Sequence, residues 1–260
     1  MPTEFELVFE EFDTQLQALT EVATASNGPQ STPKARIAAA NAAILLLAAT
    51  FEEFIRQEVK ATFKEKAIRA KGIQDFPNKL VGTVWKRAFE KLSRTSLDEI
   101  ETGTINIDNK IASILSFCLK KEVLADVGDI VSHNDNNMRH SQLNALFNGI
   151  GLQNFCANTC ESAELTSFLG CDSPSQAAAE LQSKLDGFFR KRNEIAHAIG
   201  VGSSSGLGDL LYDIEFFRIF GKAIFQFIEK HLTLGSQDGK MHVKQVKKKS
   251  VKPPTRGKAA

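Results

Sequence analysis

Three side chains in the C-terminal third of the chain could do chemistry together: Arg192, Asn193 and His197, within the run Arg192-Asn193-Glu194-Ile195-Ala196-His197. On a helical wheel advancing ~100° per residue from Leu185, the residues Leu181, Phe188, Phe189, Ile195, Ala196 and Ile199 share one apolar arc, and Arg192 falls in its middle. A guanidinium centred in an apolar stripe must meet an anion, a polar partner or another chain, because burying it unpaired is prohibitive. Asn193 and His197 are one turn apart and share a face beside the stripe, while Lys191 and Glu194 point to solvent. His197 lies just before Gly200, near the negative end of the helix dipole, which favours the imidazolium and suits proton exchange near neutral pH. Arg192 can grip a phosphate through two parallel hydrogen bonds and stabilise the added charge of a pentacoordinate phosphorus. Asn193 can orient the imidazole or a phosphate oxygen. These are parts for metal-free RNA cleavage, in which a 2′-hydroxyl attacks the adjacent phosphate. The wheel alone also allows a plainer arrangement, a structural Arg192 paired with a buried carboxylate beside a surface His197.

The elements that must hold these residues read as helices almost throughout, and the fold class is all-α. Phe5 to Ala25 repeats Leu7, Val8, Phe12, Leu16 and Leu19 at helical steps. Pro33 suits the first turn of a long helix from Lys34 to about Ala70, and a further helix spans about Asn78 to Leu92. Lys110 to Leu124 is amphipathic, Ser132 to Asn137 is a loop, and short helices are expected at about Arg139–Asn148 and Asn154–Leu169. Ser173-Pro174 reads as a cap and first-turn proline for the helix that carries Arg192 and runs to about Ile199. Gly200 to Gly208 is a Gly/Ser loop, and Asp209 to His231 forms the last helix. From Gly235 the chain is polar, basic and without apolar periodicity, which predicts a disordered tail over 235–260 after one domain over 1–234.

The 42% hydrophobic content supports one sizeable core. The formal charge of +1 hides an asymmetry, because eight basic and no acidic residues lie between Lys240 and Lys258. The remainder carries 24 basic residues against 31 acidic ones, so the body is acidic and the protein is not a broad polyanion binder. The tail is a solvated charge run that could add non-specific RNA affinity by counterion release. Cys118, Cys156, Cys160 and Cys171 form no Cys-x-x-Cys pair and read as reduced, mostly buried thiols. Cys156 and Cys160 are one turn apart, but no histidine stands at matching spacing, so no zinc site is expected. There is no phosphate-binding glycine loop, no Gly-x-Ser-x-Gly elbow and no carboxylate cluster for a metal. His133 and His140 occupy a loop and a helix start, where polar residues are routine. His231 reads as a dipole contact closing the last helix, and Tyr212 and Asp213 as possible lining of the cleft. The N-terminus lacks the pattern of a signal peptide, and the most apolar stretch, Ile37 to Ala49, is short for a bilayer, so a cytoplasmic protein is expected.

The string from Phe189 to His197 resembles the signature of the HEPN superfamily: an arginine, a polar residue, three further residues, then a histidine. The family's arginine maps to Arg192, its polar residue to Asn193 and its histidine to His197, with no departure inside the motif. Ala43 to Val59 looks like the early helix of RiboL-PSP-type and related bacterial HEPN families. Asn137 to Gly151 is similar to the segment upstream of the motif helix, and Asp209 to Ile228 to the closing helix. The resemblance covers roughly residues 35 to 232. It implies an up-and-down helical bundle with additional N-terminal and inserted helices, forming a homodimer whose motif helices face each other across a shared cleft. It further implies metal-independent endoribonuclease activity without a cofactor, in a toxin-like or phage-defence setting, with an antitoxin or other regulatory protein as a partner and no membrane. On the early helix, with Leu47 at zero, Glu52 lies at ~140°, at the edge of the apolar face, and Glu53 at ~240°, towards solvent. Glu52 is therefore the expected acidic neighbour of Arg192 or His197, although Arg56, one turn on, could simply pair with it. Two other functions remain open: a non-catalytic HEPN module that binds RNA or protein and dimerises through the motif helices, and a structural helical adaptor.

Overall fold

The computed structural model describes residues 3–96, 98–99, 102, 106–134, 136–197 and 206–246, with side chains as far as Leu232. Helix α1 (Glu4–Ser26) starts with a reciprocal cap, in which the Thr3 hydroxyl accepts from the Glu6 amide and the Glu6 carboxylate accepts from the Thr3 amide. Its buried stripe is Phe5, Phe12, Leu16, Leu19 and Ala23. Leu7, expected in that stripe, is exposed. Asn27-Gly28-Pro29 ends the helix, and Thr32 caps α2 (Pro33–Arg69) with proline in its first turn. The two form a tight antiparallel pair. The α2 stretch is long and apolar enough, by length and composition, to cross a membrane, and extends beyond the dozen residues read from the sequence. In the fold its buried residues, from Ala40 to Ala67, face other helices.

The chain then forms a 3₁₀ turn, η1 (Ile73–Asp75), and the helices α3 (Leu80–Ser93), α4 (Ile107–Cys118) and the short α5 (Gly128–Val131). Three helices follow, α6 (His140–Gly149), α7 (Phe155–Thr159) and α8 (Ala163–Phe168), before the two long C-terminal helices α9 (Pro174–His197) and α10 (Leu207–Val246). There is no strand among the described residues. The all-α expectation holds, with some boundaries moved. Helix α4 ends at Cys118 instead of Leu124, because Lys121 takes a left-handed backbone (φ 63°) and Leu119 and Leu124 are left exposed. The segment expected as helical over Asn154–Leu169 is broken at Cys160–Ser162, where Ser162 caps a new helix. The last helix passes His231 and Gly235 and continues to Val246, so His231 does not close it, and residues 247–260 of the expected disordered tail lie outside the described residues. All four cysteines are free, with Cys118, Cys156 and Cys160 buried, and burial pushes the Cys160 thiol up to about 11.

Phe51 of α2 is the hub of the core. Its ring lies 4.5 Å from Phe217 and 5.9 Å from Phe220 of α10, 6.4 Å from Phe189 of α9, and 6.3 Å from both Phe12 and Phe54. Aromatic pairs of this kind add roughly 0.5–1.5 kcal/mol each beyond their buried area. Helix α10 runs antiparallel to α1: Phe5 and Phe9 meet Phe225, while Asp13 meets Arg218. The approach is close enough that a Cβ at Gly221 would stand 2.7 Å from the Phe12 ring. Glycine is required there by packing, which offsets its cost of about 1 kcal/mol in a helix interior.

Two polar residues, Glu58 and Thr62, break the apolar face of α2. Glu58 is 0% exposed, and neither carboxyl oxygen has a hydrogen-bond partner among the described residues. The Thr62 hydroxyl, one turn on, is equally buried and unpartnered. Burial pushes the Glu58 carboxyl well above the usual range. The sign of the stability effect follows. Below the ordinary glutamate pKa both folded and unfolded chains hold the proton. Above it the unfolded chain releases the proton while the folded chain keeps it, so stability falls with pH until the folded carboxyl ionises. Glu58→Gln removes this dependence. The stability gap between variant and wild type is expected to widen from pH 4 to pH 8, at up to about 1.4 kcal/mol per pH unit. Denaturant unfolding at several pH values measures it, and parallel stability curves for the two proteins would contradict the burial of an unpartnered carboxyl.

Candidate active site

The site grows from two helices and one loop. Helix α9 opens at Ser173-Pro174 as the sequence predicts, with the Ser173 hydroxyl accepting from the Gln176 amide and the Gln176 side chain accepting from the Asp172 amide. Its buried residues, Ala177, Leu181, Leu185, Phe188, Phe189 and Ile195, face the core. Arg192 is one turn after Phe188 and nearly one turn before Ile195, so it emerges on the core side of the helix and is half-buried.

The polar partners of Arg192 are few. Its Nη1 donates to Asn193 Oδ1 at 3.2 Å, and its Nε is buried with no partner among the described residues. The same Asn193 oxygen accepts from Asn137 Nδ2 at 3.0 Å, which brings the loop between α5 and α6 into the site. Glu52 approaches from α2, directly after the hub residue Phe51. Its Oε1 is buried without a partner among the described residues, and its other oxygen is 3.7 Å from Arg56 Nη2. Burial raises the Glu52 carboxyl above its usual range, against the opposing pull of Arg56, Arg192 and the Met138 amide. Glu52 and Arg192 thus sense each other's charge without closing an ion pair. Arg56 makes its short contact, 2.8 Å, with Glu53. Arg192 is therefore left with a buried Nε that no described group satisfies.

Of the residues singled out in the sequence, Glu52, Arg192 and Asn193 come together. His197 is the last described residue of α9, one turn beyond Asn193. It is exposed and has no hydrogen bond or ion pair among the described residues. Ile199 and the Gly/Ser loop over 198–205 lie outside the described residues. Three readings of neighbouring residues change. Ala196, placed in the apolar arc, is exposed. Lys191, placed toward solvent, reaches Asp213 Oδ2 at 3.3 Å. Asp213, read as lining the cleft, is buried between Lys191 and Lys184, the latter at 2.8 Å, because two ammonium groups satisfy its charge at the α9–α10 contact. Tyr212 is exposed, stacked 5.0 Å from Phe168 with the Lys184 ammonium 4.2 Å from its ring centroid. His140 is half-buried, 3.4 Å from the Asn144 amide. Burial lowers its pKa against the opposing charge of Asp186. Asn137 and the Met138 amide were invisible to the wheel, because a loop has no period to place them. The only signal was their position at the start of the segment preceding the motif helix.

A family model described as RiboL-PSP-HEPN matches residues 9–230. No curated protein matches the chain. No solved structure matches it either.

The influence of the Arg192 charge on Glu52 has a direct consequence for titration. The Glu52 side-chain carboxyl, followed by its ¹³C shift, is expected to titrate above the ordinary glutamate range. Arg192→Met should move the midpoint further up, because it removes an opposing positive charge. A midpoint unmoved or lowered by that substitution would place Glu52 away from Arg192.

Proposed function

Since the chain belongs to the RiboL-PSP HEPN family, we propose that it is a metal-independent endoribonuclease acting through Arg192, Asn193 and His197, with Glu52 beside them. One observation carries this reading: Arg192 emerges on the core face of α9 with one edge held by Asn193 and a buried Nε that no described side chain satisfies. An unsatisfied buried guanidinium N–H is costly unless a ligand completes it, and a phosphate is the anion its geometry fits. In the proposed reaction a 2′-hydroxyl of RNA attacks the adjacent phosphorus while His197 takes its proton. The P–O5′ bond then breaks, and the leaving oxygen acquires a proton, leaving a 2′,3′-cyclic phosphate and a 5′-hydroxyl with no water consumed. Arg192 balances the charge that develops on the phosphoryl oxygens. Glu52, near but not bonded, holds the guanidinium's position without occupying its ligand edge.

The family resemblance and the exposure of the last turn of α9 together support a homodimer. Glu194, Ala196 and His197 present an open surface beside the arginine, onto which a second copy can set its own motif helix. Each cleft would then hold both arginines and both histidines. The setting we infer is a cytoplasmic toxin or phage-defence effector, restrained by an antitoxin or another regulatory protein. One observation favours a second reading, a non-catalytic RNA- or protein-binding module: His197 has no described neighbour to orient its ring.

Cleavage of generic RNA in the presence of EDTA separates the two readings. Wild type is expected to cut, and His197→Ala to lose about 10²- to 10⁴-fold in rate. Equal turnover by both proteins would sink the catalytic assignment. Sedimentation at tens of micromolar is expected to give a dimer, and a strict monomer would remove the shared cleft.

A further inference from the structure

We propose that Asn137 is a positioning residue that locks the Asn193 amide with its NH₂ pole facing the substrate, which makes Asn193 a donor to a phosphate oxygen. The inference rests on the reading of this site as a phosphate site. It begins with the inventory of donors. A guanidinium has N–H groups and no acceptor, so the Asn193 atom 3.2 Å from Arg192 Nη1 must be the carbonyl oxygen. Asn137 Nδ2, 3.0 Å from the same oxygen, supplies a second donor. An amide oxygen has two lone pairs, and both are now used. Rotating the Asn193 amide by half a turn would set its NH₂ against an Arg192 N–H that has no acceptor to offer, so Arg192 dictates the orientation and Asn137 Nδ2 completes it. The unclaimed pole of Asn193 is Nδ2, with N–H groups only.

Asn137 is well placed to hold this orientation. It comes from the loop before α6, 56 residues away in sequence, so its position does not follow the rotamer of Arg192. Its backbone carbonyl accepts from the Arg139 backbone amide at 2.8 Å, its neighbour Met138 is fully buried, and the Met138 sulfur accepts from Asn134 Nδ2 at 3.5 Å. The loop thus holds the amide whether or not a ligand is present, so little side-chain ordering remains to be done on binding. The sequence leaves two roles open for Asn193, orienting the imidazole or holding a phosphate oxygen. With Oδ1 occupied, only donor roles remain: Nδ2 can meet the unprotonated nitrogen of a neutral imidazole, whereas an imidazolium, which carries N–H on both ring nitrogens, cannot be its partner. A non-bridging phosphate oxygen can, alongside the free Nε of Arg192.

The test has two arms on the full-length protein. Without RNA, the ¹H–¹⁵N resonances of the Asn193 side-chain amide are expected to shift in Asn137→Ala and in the isosteric Asn137→Asp, which keeps the loop's shape but replaces the donor by an acceptor. Unchanged resonances in both would overturn the locking contact. With a 2′-O-methyl RNA oligonucleotide, which cannot be cut, Asn137→Ala is expected to weaken binding about three- to tenfold, and Asn137→Asp further. In an Asn193→Ala background Asn137→Ala should cost nothing more, because its effect passes through Asn193. An equal loss in both backgrounds would overturn the positioning role. If wild type fails to bind the oligonucleotide, the phosphate reading falls with the donor role assigned to Asn193, while the first arm still decides whether Asn137 sets the amide.

Discussion

The contact between Phe51 and the aromatic residues of the two C-terminal helices sets everything else in this protein. Phe51 meets Phe189 on α9 and Phe217 and Phe220 on α10. Close packing leaves these rings little freedom, so the register between α2 and α9 is fixed at that point. Glu52 is the next residue on α2, and Arg192 is one turn beyond the Phe188–Phe189 pair on α9. The aromatic core therefore delivers a carboxylate and a guanidinium to the same place, and the site is a by-product of a register chosen by packing. A slip of one residue on either helix would swing one of the two charges away by about 100°.

That arrangement leaves several polar atoms poorly served. Among the described residues Glu52 Oε1 and Arg192 Nε are buried without partners, and the two groups influence each other through charge without a bond. The arrangement leaves Arg192 Nε unsatisfied among the described residues, while the Arg192 charge pulls the Glu52 carboxyl down against its burial. Asp213, by contrast, is buried between Lys184 and Lys191, and serves the contact between α9 and α10. Helix α9 thus carries the two lysines of a satisfied ionic cluster and, at Arg192, a buried Nε that nothing among the described residues satisfies.

The helical period made much of this readable in advance. It sets Arg192 on the apolar stripe and prefers Glu52 over Glu53, while Pro33 and Ser173-Pro174 mark the starts of α2 and α9. The same arithmetic puts Glu58 at ~20° from Leu47, in the middle of the α2 face, where the structure buries it without a partner. What the period could not supply was the identity of neighbours across helices. Lys191 faces outward on a wheel of α9 alone and is drawn in by Asp213 of another helix. Leu119, Val123 and Leu124 continue the apolar pattern of α4, but the left-handed turn at Lys121 ends it. Asn137 lies in a loop, and its bond to Asn193 is a tertiary fact that no local pattern encodes.

The central claim is that the free edge of Arg192 is reserved for a phosphate. A crystal structure of the protein with a non-cleavable RNA oligonucleotide tests it most directly. The account predicts a phosphate oxygen within hydrogen-bond distance of Arg192 Nε, with His197 of the same or the second copy facing the adjoining ribose. RNA bound elsewhere, with Arg192 Nε closed onto Glu52 or another protein carboxylate, would contradict it.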